Sequence, residues 1–159
     1  MEKIFSYNVD IDKTAYMNWR TIPHKPIHDM MIIADGYMKA AIMLAQDCLQ
    51  DNMDKKADIV VFPILFSANH AIELYLKSTV KKRMISFESD KDHNANAKMK
   101  NMDFLRYPFN TDDEYHFYIE NYGNEVVDLE MFVEVFKKIG DNLNCIAGYY
   151  EEMETFVPD

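Results

Sequence analysis

His70, Glu73 and Lys77 follow one another at steps of three and four residues, a spacing that gathers side chains on one face of a helix. Two chemistries suit that trio. Glu73 could orient His70 as a general base while Lys77 stabilises charge on a phosphate, an arrangement suited to RNA cleavage. Alternatively Glu73–Lys77 is an ordinary helical ion pair and His70 a core histidine with a local hydrogen bond; this second outcome is the commoner one. Asn69 and Lys77 are the binding candidates on the same stretch. The segment from Phe62 to Lys77 is apolar almost all the way round, so it predicts a helix in the middle of a bundle. Its ionisable groups would then be satisfied inside or at the edge of a core.

Other candidates lie further along. Arg106 beside Tyr107 could hold a phosphate and stack a base, with His116 nearby; an ion pair between Arg106 and an acidic last helix is the competing reading. Lys77, Lys81, Lys82, Arg83 and Lys91 could form a local basic patch, although Lys81–Arg83 also suit the negative pole of a helix. His93 sits in a polar run and is either solvated or a catalytic partner for His70. His24 and His28 are four apart, but Pro23 and Pro26 spoil helical metal spacing and no third ligand stands close. No glycine-rich phosphate loop, Cys-x-x-Cys pair or nucleophile elbow occurs, and no metal or cofactor is expected.

The elements that must position these residues are mainly helical. Residues 1–25 read as an N-terminal arm, with Pro26 suited to the first turn of a helix. From Ile27 to about Gln50 apolar residues recur at three- and four-residue steps, predicting a long amphipathic helix in which Gly36 would permit close helix approach. Residues 51–56 form a polar loop. A second helix spans about 58–82, and Pro63 implies either a start near Phe62 or a bend. Residues 86–103 read as a mobile loop, and 104–122, rich in aromatics around a turn-forming Asn110–Asp113, as a β-hairpin. The last helix begins at Asp128 as N-cap. Its inward stripe is predicted as Leu129, Phe132, Val133, Phe136, Ile139, Leu143, Ile146, Tyr150 and Met153, with Glu130, Glu134, Lys137, Asp141, Asn144 and Glu151 facing water. The predicted fold is a single domain over 1–159: an antiparallel helical bundle with a small β-hairpin inserted before the last long helix.

Composition agrees with that class. Four glycines in 159 residues argue against a turn-rich all-β chain. Cys48 and Cys145 both fall in apolar helical patterns, which predicts two reduced core thiols in a reducing setting. The start of the chain shows no apolar leader, and no membrane span is expected, so the predicted location is cytoplasmic. The net charge of −10 is unevenly spread: residues 103–159 carry 14 Asp and Glu against 3 Lys and Arg, while residues 1–102 are nearly neutral. That excess serves solubility, repels nucleic acid, or attracts a basic partner.

Two segments resemble the HEPN-like superfamily of small helical-bundle proteins. Pro63–Lys77 is similar to the family's helix reading His-Ala-(apolar)-Glu-Leu-x-Leu-Lys, and Phe104-Leu105-Arg106-Tyr107-Pro108-Phe109 is similar to an Arg-Tyr-Pro segment preceding the last helix in some bacterial members. A histidine after the second helix, here His93, is also common there. The resemblance implies a bacterial or phage conflict protein of the toxin–antitoxin or abortive-infection kind, often dimeric and often a ribonuclease. Its ribonucleases place an arginine four to six residues before a histidine in a late helix. Here the last helix holds neither, and nine residues separate Arg83 from His93 and Arg106 from His116. The expected function is therefore phage-defence binding of a second copy, a cognate protein or RNA, with catalysis weak or absent and no membrane partner. Two alternatives are a metal-independent endoribonuclease built from His70, Glu73, Arg106 and His93, and an acidic inhibitor mimicking nucleic acid.

Overall fold

A computed structural model describes residues 6, 8–17, 20–22, 25–86 and 126–155, with side chains described as far as 79 in the second helix and 149 in the last. Three long helices dominate these residues: α1 (Pro26–Gln50), α2 (Ala57–Ser86) and α3 (Leu129–Thr155). The hairpin expected over 104–122, most of the loop expected over 86–103, Trp19 and His24 lie outside the described residues.

In the arm, a single 3₁₀ turn at Ile11–Lys13 is capped by Asp10, whose carboxylate accepts from the Asp12 N–H at 3.1 Å. Hydrogen bonds among the described residues tie the arm's end to α1. The Ile22 N–H donates to Asp29 at 2.8 Å, and His28 Nε2 donates to the Arg20 carbonyl at 3.2 Å. Pro26 occupies the first turn of α1, as its missing N–H predicts.

The α1–α2 pair is the centre of the fold. Ala34, Met38, Ala41, Ala45 and Cys48 are buried on α1 at steps of four, three, four and three; Ile64, Ala68, Ala71, Tyr75 and Ser78 repeat the same rhythm on α2. Six residues join the helices, so they run antiparallel, with the Asp47–Lys56 bridge (3.0 Å) near the loop and Tyr37 against His70 further along. Alanine at facing positions keeps the seam thin and lets the backbones approach. Full burial of Ile64 alone contributes about 1.5–3 kcal/mol.

The loop is held by its own polar side chains. Asn52 Oδ1 accepts from the Ala57 N–H at 3.0 Å, and Asp54 accepts from the Lys56 N–H at 3.3 Å. Lys55 takes a left-handed backbone, φ 58°. Downstream, α2 passes through Pro63 as one helix, starting five residues before Phe62. The ring removes the bond that Ile59's carbonyl would accept, and burial of Ile64, Ala68 and Ala71 against α1 offsets that loss. At its far end α2 reaches Ser86, beyond the predicted stop near Lys82.

Asp128 caps α3 as expected: its side chain accepts from the Met131 N–H at 3.0 Å and its carbonyl from Phe132 at 2.9 Å, a cap worth about 1 kcal/mol. Phe132 and Val133 are buried in the cluster of Ala41, Ala45, Cys48, Ala57, Ile64 and Ala68, with Leu129 and Phe136 packed beside it. α3 packs chiefly on α1 and meets α2 over a smaller area.

Several predicted placements on α3 are corrected. Ile146 and Cys145 are exposed; the inward positions are Gly140 and Ala147. At 100° per residue, Ala147 lies above Phe132 and Phe136, whereas Cys145 falls on the opposite side. Asn144 is solvent-facing yet accepts a hydrogen bond from buried Tyr75 at 2.9 Å. The close approach predicted at Gly36 falls at Gly140 instead. A Cβ on Gly36 would meet open space, whereas one on Gly140 would stand 3.2 Å from Met38 Cγ.

Candidate functional site on helix α2

Helical geometry separates two sides of α2. Ile64, Ala68, Ala71 and Tyr75 point at α1, so Asn69, His70, Glu73 and Lys77 fall on the opposite half of the wheel. The sequence predicted a helix sheltered on all sides; α2 is sheltered on one. Asn69, His70 and Glu73 are partly buried and Lys77 is exposed, which puts the polar group at the rim of the core rather than within it.

The three ionisable groups form a ladder. Lys77 donates to Glu73 Oε1, and His70 Nδ1 lies 3.5 Å from Glu73 Oε2. The ammonium bond from Lys77 is the main reason the Glu73 carboxyl is held below its usual range; partial burial opposes this, and His70 adds to it. The imidazole is fixed by rings on two sides. Tyr37 from α1 meets it edge-on with centroids 4.6 Å apart, and Phe66, one turn earlier on α2, stacks on it at 5.8 Å with planes 7° apart. Among the described residues His70 Nε2 has no hydrogen-bond partner, and the side chain is 32% exposed.

A histidine whose Nδ1 faces a carboxylate and whose Nε2 is open can accept a proton. Here the same carboxylate already serves a lysine one turn on, which lowers its basicity. The arrangement fits a fixed polar surface with Asn69 and Lys77 at its edges more closely than a poised base.

Of the predicted site residues, His70, Glu73 and Lys77 come together with Asn69 beside them. Lys81 and Arg83 occupy the last turns of α2, with side chains outside the description, and His93, Arg106 and Tyr107 lie outside the described residues. Tyr37 and Phe66 were missed as neighbours of His70. The signal existed: a six-residue loop between antiparallel helices sets residue 37 opposite residue 70. Among the described residues no three His, Cys, Asp or Glu side chains gather as a metal site.

The apolarity of α2 extends beyond the residues around the ladder. Ala57–Thr79 is long and apolar enough to cross a bilayer by length and composition. Helices of soluble cores also pass that test, so the property concerns apolarity and leaves location open.

No protein-family model matches the chain, no curated protein is detectably similar to it, and no solved structure matches it.

Proposed function

We propose that this chain is a HEPN-like helical bundle of bacterial or phage defence that acts by binding rather than by turnover. Support comes from the residues of Pro63–Lys77 and Phe104–Phe109, and from the helical architecture around α1. In this reading residues 104–122 form the β-hairpin before α3, with Arg106 and Tyr107 available to a ligand, and the protein works in the cytoplasm without a cofactor.

The observation that carries the binding reading is the closed ladder: Glu73 is committed to Lys77 while His70 is pinned between Tyr37 and Phe66. Its partners are a second copy, a cognate protein or RNA. Sedimentation of the purified chain, alone and with single-stranded or hairpin RNA, tests this. Self-association or RNA retention that weakens in Asn69→Asp and Lys77→Met supports the proposal; a monomer that retains no RNA and captures no protein when coexpressed with its genomic neighbours overturns it.

The ribonuclease alternative is favoured by one observation: His70 is partly exposed, and among the described residues its Nε2 has no hydrogen-bond partner. It requires Arg106 or His93 to approach that nitrogen to hydrogen-bond distance.

A further inference from the structure

The outward side of α3 combines two features that the packing onto α1 does not use. Met131, Val135, Lys138, Asn142 and Ile146 recur at steps of four, three, four and four, so they lie along one ridge of the helix. Among the described residues nothing covers the apolar members: Met131 is 55%, Val135 39% and Ile146 46% exposed. Phe132, Val133, Gly140 and Ala147 are the buried members of α3 against the core, so this ridge is a second apolar row. Beside it stand Glu130, Glu134 and Asp141, all exposed. Lys138, the cation on the ridge, is neutralised within the helix by Glu134 at 2.6 Å.

We infer that this ridge docks an amphipathic helix of a partner protein whose apolar seam is flanked by lysine or arginine. An apolar row with polar residues in its middle is the pattern of a helix-pairing seam, where the polar positions set register at some cost in stability. Charge complementarity decides the partner's flanks, because α3 carries six acidic and two basic residues and residues 103–159 hold nearly all of the chain's negative excess. From Met131 to Ile146 the ridge runs about 22 Å, enough to engage roughly four turns of a partner helix. Exposed Cys145 adjoins Ile146 on the margin, so a docked helix would shield its thiol while buried Cys48 stays unreactive throughout. The ridge lies on α3, and nothing in this inference depends on how the α2 ladder works.

The test uses the full chain and three synthetic peptides of about 20 residues. One is a Leu/Lys helix with leucines at seam spacing, the second its Leu/Glu counterpart, and the third a scrambled Leu/Lys sequence of equal composition. Fluorescence anisotropy and the alkylation rate of Cys145 are read together. The Leu/Lys helix should bind at least about tenfold more tightly than the scrambled peptide, bind less tightly as salt rises, and slow Cys145 alkylation. Met131→Ser with Ile146→Ser should remove most of that binding; both positions are exposed, so the fold is retained, as circular dichroism would verify. Equal binding of the scrambled peptide, unchanged affinity in the double variant, or an unprotected Cys145 would overturn the inference. So would a concentration-dependent dimer broken by the same two substitutions, since the ridge would then belong to a second copy.

Discussion

Tyr75 on α2 donates its hydroxyl hydrogen bond to Asn144 on α3 at 2.9 Å, a direct polar link between the two helices that touch least. The link is asymmetric, because Tyr75 is 1% exposed whereas Asn144 faces solvent. Removing the hydroxyl in Tyr75→Phe leaves an amide that water can serve, and should cost about 0.5–1.5 kcal/mol. Removing the acceptor in Asn144→Ala strands a buried hydroxyl and should cost about 1–3 kcal/mol. Urea unfolding of the two variants checks the order; a larger loss in Tyr75→Phe would contradict it.

The pH dependence has two limbs with opposite signs. Glu73 has its folded carboxyl lowered by Lys77, so its stabilisation is present above the ordinary range of the unfolded chain, about 4.3, and disappears as pH falls through the lowered folded value. Tyr75 is pushed up to about 12, by burial first and then by the negative Asp35. Its stabilisation is complete below about 10 and disappears as pH rises toward 12. Glu73→Gln should flatten the acid limb only, and Tyr75→Phe the alkaline limb only, in urea midpoints measured from pH 3 to 12.

Two glycines should respond differently to alanine. Gly36→Ala gains helix propensity with nothing in its way and should stabilise by about 1 kcal/mol. Gly140→Ala gains the same propensity, but its new methyl presses on Met38 Cγ from 3.2 Å and consumes part of the gain. Thermal melts should rank Gly36→Ala above Gly140→Ala, and Gly140→Leu should fall below the parent protein.

Backbone chemistry supplies a further pair. Pro63→Ala restores the bond to Ile59's carbonyl and should stabilise by roughly 1–3 kcal/mol. Lys55→Gly relieves a left-handed backbone at φ 58° and should gain about 0.5–1 kcal/mol, net of the extra freedom of the unfolded chain. Unfolding midpoints that stay at or below the parent value in both variants would contradict the local geometry described.

Much of this architecture was legible before any coordinates. Pro26 and Asp128 marked two helix starts because each has a local mechanism, a dispensable N–H in one case and a carboxylate over free N–H groups in the other. Residues 51–56 marked a loop by composition. The orientation of α2 was not legible. Its apolar residues surround the axis, so periodicity alone could not say that Ile64 and Tyr75 face inward while His70 and Glu73 lie at the rim of the core. On α3 two apolar rows compete, and Ile146 was assigned to the wrong one because Gly140 and Ala147, the residues that fill the seam, contribute little to an apolar count. Asn144 looked like a surface residue and is one; its bond to Tyr75 depends on the register between helices, which no single helix encodes. The His70–Glu73–Lys77 ladder was legible from spacing, whereas its ring neighbours needed the α1–α2 pairing.

The central claim, that the α2 ladder supports binding and not turnover, is tested most directly by incubating the purified chain with end-labelled single-stranded and hairpin RNA in the presence of EDTA. The account predicts intact RNA over hours at equimolar protein, with the parent chain and His70→Ala indistinguishable. Cleavage by the parent chain that disappears in His70→Ala would contradict it.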